Sequence, residues 1–186
     1  MKNFIGYVMP LAFPNSRDLK ILEVYNAKPI SQQAKYKKYP DWFNKFELDT
    51  NEGLKNRMKM LYNWAIAIHM LHETHKYVIV DLKPENVMAT SSGKISVVDT
   101  DSFQISENNN ILYPGAAFTP PYFPPEGKSL QKKGEPFTES CDRFAAAICF
   151  YKILVGLHPY GGTIKKSPYD KLTTEEEFIE AGLYAY

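Results

Sequence analysis

Residues 78 to 103 read VIVDLKPENVMATSSGKISVVDTDSF and set Asp81, Lys83, Glu85, Asn86, Asp99 and Asp101 beside short apolar runs. A carboxylate at a fixed strand end can accept a proton or orient a hydroxyl. A lysine close by can neutralise charge that builds up during group transfer. Carboxylate and amide oxygens are the hard donors that Mg²⁺ takes alongside phosphates and water. Such a set, held at the mouths of short strands on a helical platform, is what a metal-phosphate site needs and what a folding core does not.

The elements that would position these groups follow from periodicity. The β-branched runs YVIV (77 to 80), NVMA (86 to 89) and ISVV (95 to 98) predict short strands, with Ser92-Gly93 turning the last two into a hairpin. From Leu54 to about His72, one apolar stripe runs through Leu54, Met58, Leu61, Ala65 and Ile68 and a second through Met60, Trp64, Ala67 and Leu71. Two adjacent stripes predict a helix buried over a wide arc, with Asp49 and Glu52 as a capping box upstream. Residues 140 to 155 are almost continuously apolar after Arg143 and predict a central helix, capped by Thr138 or Ser140 and closed by Gly156 in the left-handed region. A weaker helix is expected in TTEEEFIEAG, with Thr173 or Thr174 as cap and acidic residues in its first turn. FIGYVM (4 to 9), closed by Pro10, predicts one strand, and residues 26 to 52 read as a long connection with a surface helix. Within that connection Trp42, Phe43 and Phe46 would seal it onto the main body. Lys35, Lys37 and Lys38 form either a solvated face or a dock for a partner or acidic peptide.

Composition bounds the function class. At 186 residues, 44% hydrophobic and 14% aromatic, the chain buries one substantial core and holds one domain or a large part of one. A net charge of +1 argues against a nucleic-acid binder that works through bulk electrostatics. Cys141 and Cys149 would lie about 12 Å apart on one helix, too far to bridge, and read as reduced core thiols of a cytoplasmic protein. No apolar stretch reaches about 18 residues and no secretory signal pattern follows Met1, so no membrane partner is expected. His69, His72 and His75 could set two ring nitrogens on one helix face as metal ligands, but composition favours surface or core roles.

The order of motifs resembles the large lobe of eukaryotic-type protein kinases. Asp81-Leu82-Lys83-Pro84-Glu85-Asn86 is similar to their catalytic loop (79 to 88), and Asp99 falls where they hold the Asp of Asp-Phe-Gly. TPPYFPPE (119 to 126) resembles the close of an activation segment (99 to 126), with Pro124 in place of Ala. CDRFAAAICFYKILVGLHPYGG resembles the buried kinase helix (140 to 155), which begins with an aspartate and ends before a Pro-aromatic pair. Val-Ile-x-Asp-Leu, Asp-x-Asp-Ser-Phe-Gln-Ile and His-Pro-Tyr-Gly together are similar to a bacterial kinase-like branch. The fold implied is α+β, mainly α with short β-hairpins.

What the resemblance implies can be carried over residue by residue. Asp81 would accept the substrate hydroxyl's proton and Lys83 would offset charge on the transferred phosphoryl group, while Asn86 and Asp99 would hold Mg²⁺ beside ATP. Met9, Pro10 and Ala12 would line the adenine site, Pro10 through its carbonyl and Ala12 through its N–H. Asp142 and Glu126 would be structural, Asp142 by bonding amides of the catalytic loop. Lys83 with Thr119 looks like the serine/threonine class, with a protein or peptide as acceptor.

The sequence also departs from the pattern. Ile79-Val80 replaces His-Arg, which removes the arginine that reads a phosphorylated activation loop. Thr100-Asp101 replaces Phe-Gly, making Asp101 a further metal contact or a turn residue. No glycine-rich phosphate loop, strand lysine or partner glutamate is matched, so residues 1 to 12 read as the last small-lobe strand and hinge and 13 to 186 as a large lobe cut short, with the small lobe outside this chain. The expectation is a kinase in its full-length form, with this chain alone nearly inactive. The alternative is a pseudokinase or scaffold module that keeps the fold without turnover.

Overall fold

A computed structural model describes residues 11–23, 38–108, 110–115, 117–165 and 168–183. The expected strand at 4 to 9, the contacts expected of Met9 and Pro10, and Lys35 and Lys37 lie outside the described residues.

Two helices pack together at the centre. Helix α2, Asn51–His72, buries Met60, Leu61, Trp64, Ile68 and His72 on one side and exposes Leu54, Met58, Tyr62, Ile66 and Met70 on the other. The buried arc is therefore narrower than the two stripes predict, since Leu54 and Met58 face outward. Its cap is Thr50 rather than Asp49: Thr50 Oγ1 accepts the Gly53 N–H at 3.0 Å. The chain turns so tightly there that a Cβ at position 53 would fall 1.9 Å from the Glu47 carbonyl oxygen, which is why a glycine occupies the first turn. Helix α4, Glu139–Val155, packs against α2 and buries Ala145, Ala146, Ile148, Cys149 and Ile153. Its N-cap, Thr138, makes no capping bond, because the Thr138 and Ser140 hydroxyls bond each other at 2.7 Å. Gly156 (φ 82°) ends the helix in the left-handed region.

The segment before α2 contributes more core than a surface connection would. Helix α1, Pro40–Asn44, buries Trp42 and Phe43, and the Trp42 ring packs tilted at 44° against buried Phe46 with ring centroids 4.6 Å apart. The fully buried Arg57 guanidinium binds this region to the rest through carbonyls of Phe46 (2.5 Å), Leu22 (3.2 Å) and Ile153 (2.5 Å). Burial pulls its pKa down to about 10, still well above neutrality.

Two three-stranded antiparallel sheets carry the loops. In the first, β1 (Arg17–Asp18), β3 (Val87–Ala89) and β4 (Ile95–Val97) lie in the order β1-β3-β4, with Val87 opposite Val97. The β3–β4 turn uses Gly93 at φ 84°, its N–H donating to Thr90 O at 2.9 Å. The second sheet, in the order β2-β5-β6, comprises β2 (Tyr77–Val78), β5 (Gln104–Glu107) and β6 (Asn110–Tyr113). The β5–β6 hairpin goes beyond the strands expected from the sequence, although its polar Glu-Asn-Asn-Asn stretch is a turn signal. Helix α3, Pro125–Lys133, is tied to α5, Glu175–Glu180, by Lys128, which pairs with Glu176 and Glu180. Thr174 and Glu177 form a full capping box at the start of α5.

Candidate active site

Strand β2 ends two residues before the expected 80 because the backbone turns. Val80 has φ 66°, and Asp81 N–H donates to Ile79 O at 2.8 Å, closing a three-residue turn. A β-branched residue in the left-handed region is strained and persists only where its surroundings hold it. Asp142, fully buried in the first turn of α4, does this: its carboxylate accepts the amides of Ile79 (2.7 Å) and Val80 (2.9 Å) and bonds His72 Nε2 at 2.8 Å. The turn delivers the next residue, Asp81, to the end of the strand.

Four side chains then close on one another. Asp81 Oδ1 accepts the Thr119 hydroxyl at 2.6 Å, and Oδ2 accepts Lys83 Nζ at 2.6 Å and Asn86 Nδ2 at 3.3 Å. Lys83 Nζ also donates to Thr119 Oγ1 at 3.0 Å, and Asn86 Nδ2 to the Asp81 carbonyl at 3.1 Å. Charge-assisted bonds of this kind are about twice as strong as neutral ones, so the ring fixes both the carboxylate and the ammonium. Asn86 donates through its nitrogen and so presents its amide oxygen as the remaining acceptor.

Asp99 follows β4, exposed and at φ 59°. Val98 N–H donates to Asn86 O at 2.8 Å, which ties the Asp99 end of the hairpin to Asn86. An amide oxygen and a carboxylate fit a hard cation that keeps water and phosphate oxygens as its other ligands, as Mg²⁺ does. Asp101 is exposed in the 3₁₀ turn Thr100–Ser102. Ala12 is half-buried. Glu126 is exposed in the first turn of α3, and its carboxylate makes no hydrogen bond or ion pair among the described residues; the ion pairs of that helix belong to Lys128. Of the histidines at 69, 72 and 75, His72 is bound to Asp142 while His69 and His75 are exposed, and no group of three His, Cys, Asp or Glu side chains suited to a metal occurs among the described residues.

Several supports escaped the sequence reading. The Gln104 amide bonds Phe137 twice, accepting its N–H at 2.8 Å and donating to its carbonyl at 2.9 Å, and so pins β5 to the loop before α4. Lys152 pairs with Glu23 at 3.0 Å and donates to the Tyr122 hydroxyl, which donates to Glu23 at 3.2 Å. His158 is buried: its Nδ1 accepts Tyr160 N–H at 3.2 Å, so Nε2 donates to Pro121 O at 2.9 Å, two residues from Thr119.

Burial holds the His158 pKa below its ordinary 6.5, with Lys152 reinforcing this and Glu175 opposing it. Below pH 6.5 the unfolded chain takes up a proton that the folded one resists, so stability should fall as pH drops through this range. A His158→Gln protein should show a flatter dependence of Tm on pH between about 5 and 7; an unchanged slope in thermal melts would refute the assignment.

The family model described as "Protein kinase domain" matches residues 30–182. The chain belongs to the protein kinase family. It is 29% identical over 122 residues to serine/threonine-protein kinase MRCK gamma of Mus musculus, across 64% of this chain and 8% of that protein. It is 28% identical over 138 residues to MRCK alpha of Mus musculus, across 72% of this chain and 8% of that protein. It is 29% identical over 115 residues to MRCK beta of Homo sapiens, across 61% of this chain and 7% of that protein. The chain thus spans less than a tenth of the length of these curated relatives. Protein kinases in general use ATP and Mg²⁺ to phosphorylate proteins.

Proposed function

We propose that this chain is the phosphotransfer part of a serine/threonine protein kinase, moving the γ-phosphoryl group of ATP to a protein hydroxyl. The observation that carries the reading is the closed ring of Asp81, Lys83 and Thr119, with Asn86 bonded to its Asp81 carboxylate. Asp81 takes the role of base and orienter of the acceptor hydroxyl, and Lys83 offsets charge on the transferred group. Asn86 and Asp99 would hold Mg²⁺, which neutralises phosphate charge when bound. Asp142 is a positioning residue that acts through the backbone of Ile79 and Val80. Met9, Pro10 and Ala12 are assigned to the adenine site. The sequence contains no Gly-x-Gly, so the glycine-rich loop and the strand lysine are assigned to a small lobe outside these residues. The exchange of Phe-Gly for Thr100-Asp101 supports kinship with a bacterial branch, and a cytoplasmic setting suits the two buried free thiols.

The test is transfer of label from γ-labelled ATP to a mixed serine, threonine and tyrosine peptide library, with and without Mg²⁺. Magnesium-dependent label on serine and threonine is expected from a protein that includes a glycine-rich loop, with only traces from residues 1 to 186 alone. Binding of ATP without any transfer in the longer protein would favour the second reading, a scaffold that keeps the fold.

A further inference from the structure

The lysine-rich stretch before α1 leads into a surface that phosphoryl transfer leaves unexplained. Two adjoining cavities, about 340 Å³ and about 470 Å³, share Lys45 and Ser91 and so form one groove. Arg17 and Lys38 line the first and Lys59 the second, with Lys45 between them. Against these four cations stand only Asp41 and Glu52, and among the described residues none of the four cations is in an ion pair. Arg17 lies 4.0 Å and Lys38 5.2 Å from the centroid of the same Tyr39 ring. The ring attracts each cation, while among the described residues no ion pair relieves their mutual repulsion. The groove reaches the β3–β4 turn at Ser91, Ser92 and Gly93, the end of the hairpin away from Asn86 and Asp99. It is therefore a separate place from the reacting groups.

We propose that this groove docks an extended acidic protein segment, whose carboxylates pair with Arg17, Lys38, Lys45 and Lys59. Exposed polar groups such as Ser92 and Asn44 rim the groove, while Trp42 and Phe46 form its buried floor. A nucleic acid fits less well. Asp41 and Glu52 interrupt a phosphate-tracking stripe, and Tyr39 already carries cations over its ring rather than offering it for base stacking.

The test needs neither nucleotide nor turnover. Fluorescence anisotropy is measured with a labelled glutamate-rich peptide of about ten residues, long enough at about 3.3 Å per extended residue to lie along both cavities. A single-stranded oligonucleotide and a lysine-rich peptide serve as comparison probes. The acidic peptide should bind at low salt and weaken steeply toward about 0.5 M. The double variant Lys45→Glu/Lys59→Glu should bind at least about tenfold more weakly. Both side chains are exposed, so its thermal melt should match the parent, and Lys45→Ala/Lys59→Ala gives a second, milder variant. Unchanged affinity in both variants, or no binding by the parent up to about 1 mM, would overturn the proposal. Tighter binding of the oligonucleotide with the same dependence on Lys45 and Lys59 would overturn it too, and would reassign the groove to nucleic acid.

Discussion

An Asp81→Asn protein, made in a form that turns over, is expected to lose about 10²- to 10⁴-fold in phosphoryl transfer while keeping its fold. The amide has the shape of the carboxylate but neither its charge nor its basicity. Its oxygen can still accept from Lys83 and Asn86 at the Oδ2 position, and the Thr119 hydroxyl can rotate to accept from the new NH₂ where it now donates to Oδ1. The ring of side chains therefore survives in outline. A rate assay beside a thermal melt separates the two effects: the rate should fall and Tm should move by only a few degrees. Transfer as fast as the parent's would remove Asp81 from the chemistry and with it the kinase reading of the ring.

Asp142→Ala should act in the opposite sense, on the fold before the chemistry. The substitution leaves the amides of Ile79 and Val80 and the ring of His72 without their shared acceptor in a fully buried place. Removing one partner from such a buried, charge-assisted set costs about 3–5 kcal/mol, a large share of the 5–15 kcal/mol that holds most domains together. Val80 also loses what holds it in the left-handed region, so Asp81 loses its placement. Urea unfolding should show the loss in midpoint, and Asp142→Asn, which keeps one acceptor oxygen, should fall between the two proteins. A change under about 1 kcal/mol would show that the strained turn is held by something else.

The fold was legible where its signals are local. Helix α2 and helix α4 announced themselves through apolar spacing, Gly156 and Thr174 marked helix ends, and the β3–β4 hairpin followed from β-branched runs around Ser92-Gly93. The residues gathered around Asp81 lay within motifs that stand in order along the chain, a pattern that needs no contacts to be seen. What escaped is long-range. Nothing near His72 signals a partner 70 residues away, and nothing in Gln104 signals the backbone of Phe137. The arc of α2 is narrower than its periodicity suggests because Leu54 and Met58 fit the spacing but stay partly open to solvent. Asp49 lost the cap to Thr50 because the close approach of Gly53 to Glu47 sets where the helix can start.

Arg57 has a consequence for the order in which the protein can be made. Its guanidinium needs a carbonyl of Leu22, one of Phe46 and one of Ile153, and the last lies 96 residues further along. A ribosome delivers the first two together with α2 but withholds the third until most of the chain has emerged. Until then the cation would be buried with one bond missing, so the nascent core should stay open and depend on holding factors, then close when Ile153 arrives.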